Sequence, residues 1–337
     1  MNKKILVIVV IIVVVVGLYF VVIKKDNQVE KRYSGPVQEV SLKLKWLHQA
    51  QFAGNYVAVE KGFYAENGLK VNLVPFSFES PAIDAVVKGD AMFGITGADE
   101  LVLARANNIP IKAIAVIYKT NPVVAYALKK SGITKPQDFI GKTVGLEKGL
   151  NVEYLYSAMM GKLKIDRSKI KEVAIGYDAT ELLTGKTDVS TGYIINEPNL
   201  AIEAGQEVNT ILVADYGVNM YADVLFARED TIQTQPELVE RFLRATLDGW
   251  QYAIEHEEEA VSMVLKYASS STSIHQAHML KSSIPLIHNG DFPLGWMEDN
   301  KWKEAEDILL EQKILKNPII INDAYTMQFL NSIYKRK

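Results

Sequence analysis

The sequence predicts a two-lobed α/β clamshell standing behind an N-terminal transmembrane helix. Three observations predict it. Strand-like and helix-like stretches alternate from Val40 to Val116, and a second set alternates from Val123 to Ala214. The chain passes between the two sets twice, near Lys119 to Pro122 and near Asp215 to Tyr221, which is how a hinge that closes on a ligand is built. Before either set, Ile5 to Ile23 is an unbroken apolar run of bilayer-spanning length.

The apolar run is flanked by Lys3 and Lys4 on one side and Lys24 and Lys25 on the other, so the charges that usually set orientation nearly balance. It ends Leu-Tyr-Phe-Val-Val-Ile, with no small residues of a cleavage site. Residues 1–25 therefore read as an uncleaved anchor, with an atypical signal peptide as the alternative. No cysteine occurs, so a lipid cannot be attached through a thioether, and disulfides and thiolate catalysis are excluded. Residues 26–38 are polar, carry Ser34-Gly-Pro36 and read as a tether. The remaining three hundred or so residues suffice for two lobes. Beyond residue 35 the chain has 31 basic and 38 acidic side chains, a balance that argues against nucleic acid as a partner.

In the first lobe, Val40/Leu42/Leu44/Trp46 alternate as a strand, and a helix carrying Phe52, Tyr56 and Val59 ends at Lys61-Gly62. A strand around Leu69–Val74, a helix Ser80–Lys88, a strand Ala91–Ile95, a helix Asp99–Ala106 and a strand Ile111–Val116 follow. The second lobe reads as strands Val123–Leu128, Thr143–Leu146, Lys171–Ala174, Val189–Ile195 and Thr210–Ala214. Helices Val152–Leu163 and Ala179–Thr184 and one ending at Ala204 lie between them. Each lobe is expected to be a mostly parallel sheet with helices on both faces. Five C-terminal helices, from Pro236 to Tyr334, should return to the first lobe. Lobe 1 is thus 39–120 plus 220–337, and lobe 2 is 121–219.

In open α/β sheets ligands bind where strands end and helices begin. Trp46 and Gln49 lie there. Trp46, Tyr56, Tyr193, Tyr216 and Tyr221 offer flat faces for a flat ligand, with indole and phenol groups for hydrogen bonds. Thr96-Gly97 and Lys148-Gly149 precede helices, where free backbone N–H groups hold polar or anionic atoms. Asn196 and Glu197 follow one strand, and Asp215 follows another. A carboxylate at Glu197 is placed to accept two parallel N–H bonds from an aminopyrimidine edge. An aromatic at a strand end is often core, and Asn196-Glu-Pro198 is also a helix start; the coincidence of these groups at strand ends selects them. His275 and His278 have no carboxylate or cysteine near them in the sequence to complete a metal site, and GxSxG, P-loop and GxGxxG motifs are absent.

Several of these segments carry a resemblance. Trp46 to Leu69, Gly94-Ile-Thr-Gly97, Gly132-Ile-Thr-Lys-Pro-Gln-Asp138 with Gly141-Lys-Thr-Val-Gly145, and Gly192-Tyr-Ile-Ile-Asn-Glu-Pro198 resemble solute-binding proteins for thiamine pyrimidine precursors. So do Asp215 to Asp223 and Pro236 to Arg244, ending in Gly249-Trp250. The resemblance implies a type II periplasmic-binding-protein fold and a monomer that needs no cofactor or metal. It implies capture of a precursor such as hydroxymethylpyrimidine or a formylaminopyrimidine outside the cytoplasm and its delivery to ABC permease subunits. Cousins of the same fold serve sulfonates, nitrate and riboflavin, so another small solute is the alternative. An enzyme branch makes the pyrimidine itself from pyridoxal phosphate and a histidine of its own chain. It needs a lysine where this sequence has Thr96, a histidine where it has Glu100, and a cysteine-rich motif. With no amine at that position an aldimine has nothing to form on. A sensor module is the third reading, and with one span it needs a signalling partner.

Overall fold

The computed structural model describes residues 33–335 apart from 150, 289 and 291. The anchor expected over residues 1–25 and most of the tether lie outside the described residues. Among the described residues no helix is long and apolar enough to cross a membrane.

Among the described residues, ten strands form two five-stranded sheets. The first holds β1 (Gln38–Lys43), β2 (Leu69–Val74), β3 (Phe93–Thr96), β4 (Ile111–Tyr118) and β10 (Ala222–Arg228), in the order β2-β1-β3-β10-β4. The second holds β5 (Val123–Leu128), β6 (Thr143–Leu146), β7 (Lys171–Ala174), β8 (Val189–Tyr193) and β9 (Val208–Leu212), in the order β7-β6-β8-β5-β9. β1 runs parallel to β2 and β3, and β6 runs parallel to β7 and β8. One strand in each sheet is antiparallel to both neighbours: β10 in the first and β5 in the second. These are the two strands that have just arrived from the other lobe. A chain that leaves one sheet at its cleft end enters the next from its cleft end, and so runs against strands whose C-terminal ends face the cleft.

The crossings run from β4 to β5 and from the turn Val213–Tyr216 to β10. They are tied together, since Asn121 N–H donates to Asn219 Oδ1 (2.9 Å) and Val123 N–H to Asn121 Oδ1 (3.1 Å). The first predicted strand is shorter than its alternation suggested. β1 ends at Lys43, and residues 44–49 form the loop that carries Lys45, Trp46 and Gln49 toward the second sheet.

The helices of seven residues or more are α1 (Ala53–Glu60), α2 (Ala82–Lys88), α3 (Ala98–Ala106), α4 (Asn151–Lys162), α5 (Glu197–Glu203), α6 (Pro236–Glu255), α7 (Glu257–Val264), α8 (Ser273–Ile287), α9 (Asp299–Glu311) and α10 (Gln328–Lys335). α6 buries one long stripe, with Leu238, Phe242, Leu243, Leu247 and Trp250 all inside. It meets α1 through two glycines. A Cβ at Gly249 would lie 2.2 Å from the Gly54 carbonyl oxygen, and one at Gly54 would lie 2.2 Å from the Trp250 ring. The helices touch backbone to backbone there, leaving no soft side chain to yield.

Tyr56 and Tyr221 are corrections to the expected cleft set. Tyr56 is fully buried in α1, stacked on Tyr267 (centroids 4.5 Å apart) and bonded through its hydroxyl to His48 Nδ1 (3.0 Å). Tyr221 is buried against the edge of Trp302, and its hydroxyl accepts from Glu298 N–H (3.1 Å). Both rings are covered by the C-terminal third of the chain, so they serve lobe 1 as core.

Gly249→Ala should lower the unfolding free energy of the full-length protein by about 1–3 kcal/mol through overpacking. Urea denaturation checks this as a lower midpoint at unchanged slope; an unchanged midpoint would mean that α1 and α6 separate at no cost.

Candidate functional site

Between the sheets, the strand ends enclose a cavity of about 160 Å³. From lobe 1 it is lined by the loop after β1, by Phe76 after β2, and by Asp99, Glu100 and Leu103 of α3. From lobe 2 come Glu147 after β6, Gly149, the first residues of α4, Tyr177 after β7, Tyr193 at the end of β8, and Asn196 and Glu197 opening α5. Two hollows of larger volume, about 460 and 530 Å³, are lined by lobe 1 residues that are for the most part at least partly exposed. The smaller cavity alone gathers buried polar groups from both sheets.

One wall is aromatic. Trp46 stacks on Phe76 at 5.5 Å and meets the edge of Tyr177, from the other lobe, at 5.3 Å. At the floor lies Lys45. Its ammonium is 3.6 Å from Asp223 and donates to the Tyr193 hydroxyl at 3.4 Å, which also accepts from Asn151 Nδ2 at 2.8 Å. Desolvation opposes the charge of Lys45, but Tyr193, Asp223, Glu100 and Asp99 outweigh it and hold the ammonium protonated. Asp223 in turn accepts two bonds from Gln51 Nε2, both 2.9 Å. Its backbone sits at φ +50, in the left-handed region that a non-glycine residue adopts at some cost.

The remaining lining is acidic. Burial, then its neighbour Glu100, pushes Asp99 up to about 6. Burial pushes Asp223 up to about 6 against the pull of Lys45. Glu197, 4 % exposed, is pushed up to about 7 by burial, while backbone N–H groups and Asn196 favour its charged form. Glu147, 5 % exposed, is pushed up to about 9 by burial and then by Glu197.

Of the expected residues, the fold gathers Trp46, Gln49, Tyr193, Asn196 and Glu197 around this cavity. Glu197 differs from expectation in what its oxygens do. Oε2 accepts from Tyr193 N–H (2.7 Å) and Oε1 from Asn196 Nδ2 (2.5 Å), so the carboxylate is folded back onto its own loop. Gly192 allows this: a Cβ there would stand 2.4 Å from Oε2.

Two helix starts expected to offer free N–H groups are closed by side chains. Glu100 accepts from Gly97 N–H (3.3 Å) and from the buried Thr96 hydroxyl. Glu153 accepts from Gly149 N–H (2.9 Å) and from Lys148 Nζ (2.6 Å). Thr96, Gly97 and Lys148 therefore lie outside the lining. Asp215 is exposed on the turn after β9, with Tyr216 half-buried beside it, and neither lines the cavity.

His275 has a carboxylate partner that its sequence neighbourhood hides. Its Nδ1 is 3.0 Å from Glu203 Oε1, which also meets His278 Nδ1 at 2.9 Å. Its Nε2 hydrogen-bonds Asn196 Oδ1 at 2.9 Å. This network joins α8 to α5 across the lobes. Among the described residues no group of His, Cys, Asp or Glu has an arrangement that would hold a metal ion.

Sequence reasoning passed over Lys45, Gln51, Asp99 and Glu147. Glu147 carried a readable signal, since it is the first residue after the apolar strand Thr143–Leu146.

Two five-stranded sheets, a double crossing and a polar cavity at the strand ends define the periplasmic solute-binding-protein fold. A sulfonate-binding protein of Methylobacillus flagellatus KT superposes with a TM-score of 0.69 at 16 % identity, over 90 % of this chain and 96 % of its own. The chain matches the family described as NMT1/THI5 like over residues 49–260 and belongs to it. A riboflavin-binding protein of Chloroflexus aurantiacus is 26 % identical, covering 87 % of this chain and 86 % of the relative. A formylaminopyrimidine-binding protein of Halalkalibacterium halodurans is 24 % identical, covering 86 % and 90 %. A 4-amino-5-hydroxymethyl-2-methylpyrimidine phosphate synthase of Legionella pneumophila is 27 % identical, covering 86 % and 92 %.

The raised carboxyls set the pH dependence of the unliganded protein. Each binds a proton in the folded state that the unfolded chain releases above its ordinary value, 4.5 for glutamate. The folded state holds more protons between about pH 4.5 and pH 9, so stability falls as pH rises through that window. Urea unfolding at pH 5, 7 and 9 should show a decline on the order of a few kcal/mol, with Glu147→Gln flattening its alkaline half. A profile that rises toward pH 9 would contradict the assignment.

Proposed function

We propose that the protein is the solute-binding component of an ABC importer and closes its two lobes on a thiamine-type pyrimidine. The observation that carries this reading is the cavity itself: an aromatic wall of Trp46, Phe76 and Tyr177 beside the carboxyls of Glu147 and Glu197. A flat heterocycle slides against Trp46 and presents N–H groups to the acids. The formylaminopyrimidine-binding relative, matched over nearly its whole length, supports the same ligand class. Riboflavin is the second reading. The riboflavin-binding relative favours it, and a flavin is also flat and edged with N–H and carbonyl groups.

The protein is proposed to bind rather than to transform its ligand. The position at which the resemblance to the synthases calls for a lysine is Thr96, buried and bonded to Glu100, and no cysteine is present. Lys45, the one amine among the described lining residues, is held charged by Tyr193 and Asp223 and offers no free base to a carbonyl. We further propose that Ile5–Ile23 anchors the chain, with the lobes outside the cytoplasm and near their permease, where tethering raises the local concentration.

Calorimetry of the full-length protein against a formylaminopyrimidine, 4-amino-5-hydroxymethyl-2-methylpyrimidine, riboflavin and an alkanesulfonate tests the ligand class. Trp46→Ala should weaken the pyrimidine by about 1–3 kcal/mol, the worth of one ring stacked on an aromatic side chain, or roughly 5- to 150-fold. Tight binding of the sulfonate alone, or equal affinity in Trp46→Ala, would reject the reading.

A further inference from the structure

We infer that Glu147 is the ligand-anchoring carboxyl of the cavity, and that it confines the site to uncharged or cationic nitrogen heterocycles, excluding their phosphate esters and sulfonates. The inference deepens the proposed function and rests on it for the identity of the heterocycle.

Every other acid near the cavity is already engaged. Asp99 accepts from the backbone N–H of Glu100 at the start of α3. Asp223 is held by Lys45 and Gln51. Glu100 closes the start of α3. Glu197 gives one oxygen to Tyr193 N–H and the other to Asn196. Glu147 has no hydrogen-bond or ion-pair partner among the described residues, although it is 5 % exposed and lines the cavity. Buried polar groups are normally paired, and one left open toward a cavity is accounted for by what the cavity holds. β6 places it there. Leu146 faces the lobe 2 core at zero exposure, and the strand ends one residue before Glu147, at the sheet's cleft edge. Gly145, where a Cβ would sit 2.5 Å from Ile175, lets β6 lie close beneath the β7 loop that carries Tyr177.

The protonation of Glu147 determines what it recognises. A carboxyl pushed up to about 9 is an acid at neutral pH, with one O–H to donate and a carbonyl oxygen to accept. Its complement is a ring nitrogen beside an amino group, or a ring carbonyl beside an N–H. A cationic edge is also accommodated, since Glu147 then gives up its proton to solvent and pairs as the carboxylate. The ionised form is costly there because burial strips its solvation and Glu197 lies close enough to repel it.

The same surroundings turn anions away. A phosphate or sulfonate needs free cations or free N–H groups. Among the described lining residues the one ammonium, Lys45, is taken by Asp223 and Tyr193, while the starts of α3 and α4 are filled by Glu100 and Glu153. An anion entering here meets Asp99, Glu100, Glu147 and Glu197 with no compensating partner.

The test uses the full-length protein and pairs of compounds that differ only in a phosphate. 4-Amino-5-hydroxymethyl-2-methylpyrimidine is compared with its phosphate, and riboflavin with its 5′-phosphate, by calorimetry at pH 7. Whichever parent binds, its phosphate should bind at least 100-fold more weakly. Glu147→Gln, which keeps one donor and one acceptor, should bind the parent within about threefold of wild type, while Glu147→Leu should lose at least 30-fold. Circular dichroism verifies that the variants are folded, and the ester comparison on wild type needs no variant. If riboflavin binds and the pyrimidines do not, the pyrimidine reading fails while the inference about Glu147 is decided on the flavin pair. Equal affinity for parent and ester, undiminished binding by folded Glu147→Leu, or a panel in which only a sulfonate or nothing binds would overturn the inference.

Discussion

The site depends on one buried cation. Lys45 comes from the loop after the first strand, Asp223 comes from the strand that re-enters lobe 1, and Tyr193 is the last residue of a lobe 2 strand. A single ammonium thus joins the two sides of the cleft and the second crossing. Buried ion pairs are expensive to desolvate and add little to net stability, but removing one partner strands the other. Asp223 adopts a left-handed backbone in meeting Lys45, and Gln51 makes two bonds to hold it. Local strain of this kind persists only where the surrounding contacts over-determine it. With Lys45 consumed in this way, the described lining has no spare positive charge, and its chemistry passes to the carboxyls.

The lobes meet through polar contacts outside the cavity as well as within it. His275 of α8 touches Glu203 and Asn196 of the α5 segment, and Asn196 continues to Glu197. Asn199 reaches Ser282 on α8 at 3.3 Å. The two crossings are pinned to each other by Asn121 and Asn219. Between the lobes these polar seams flank the aromatic wall of Trp46 and Tyr177. Such an interface separates at modest cost, as a protein that must release its ligand requires.

Much of the fold was legible because a sheet's burial is written in its alternation. Val40, Leu42 and Leu44 are all inside, and β5, β6 and β8 fall where apolar runs begin. The antiparallel strand in each sheet is not visible in the residues of β5 or β10; it follows from the direction of the crossing. At the site, the fold brings Trp46, Tyr193 and Glu197, all at or near strand ends, to the cavity as their positions in the sequence suggested. Tyr56 and Tyr221 misled because an aromatic ring has the same sequence signature in a cleft and in a core, and the rings that cover these two, Tyr267 and Trp302, lie far along the chain. The self-capped helix starts were within reach: Gly97 with Glu100, and Gly149 with Glu153, have the spacing at which a glutamate reaches back to its own N-terminus.

Family membership alone leaves the choice between capturing and making a pyrimidine open, since relatives of both kinds align over most of this chain. The fold does not decide it either, because function resides in the side chains placed at the strand ends. What separates the two is the state of the amines and acids in the cleft. A synthase acting through pyridoxal phosphate needs a neutral amine to attack an aldehyde and cations or N–H groups to seat a phosphate. Here Thr96 is a hydroxyl locked to Glu100, Lys45 is charged and occupied, and the helix starts that would seat a phosphate are filled by glutamates. Each departure alone is a single substitution. Together they make the pocket acidic, and it is on this acidity that the proposed binding role rests.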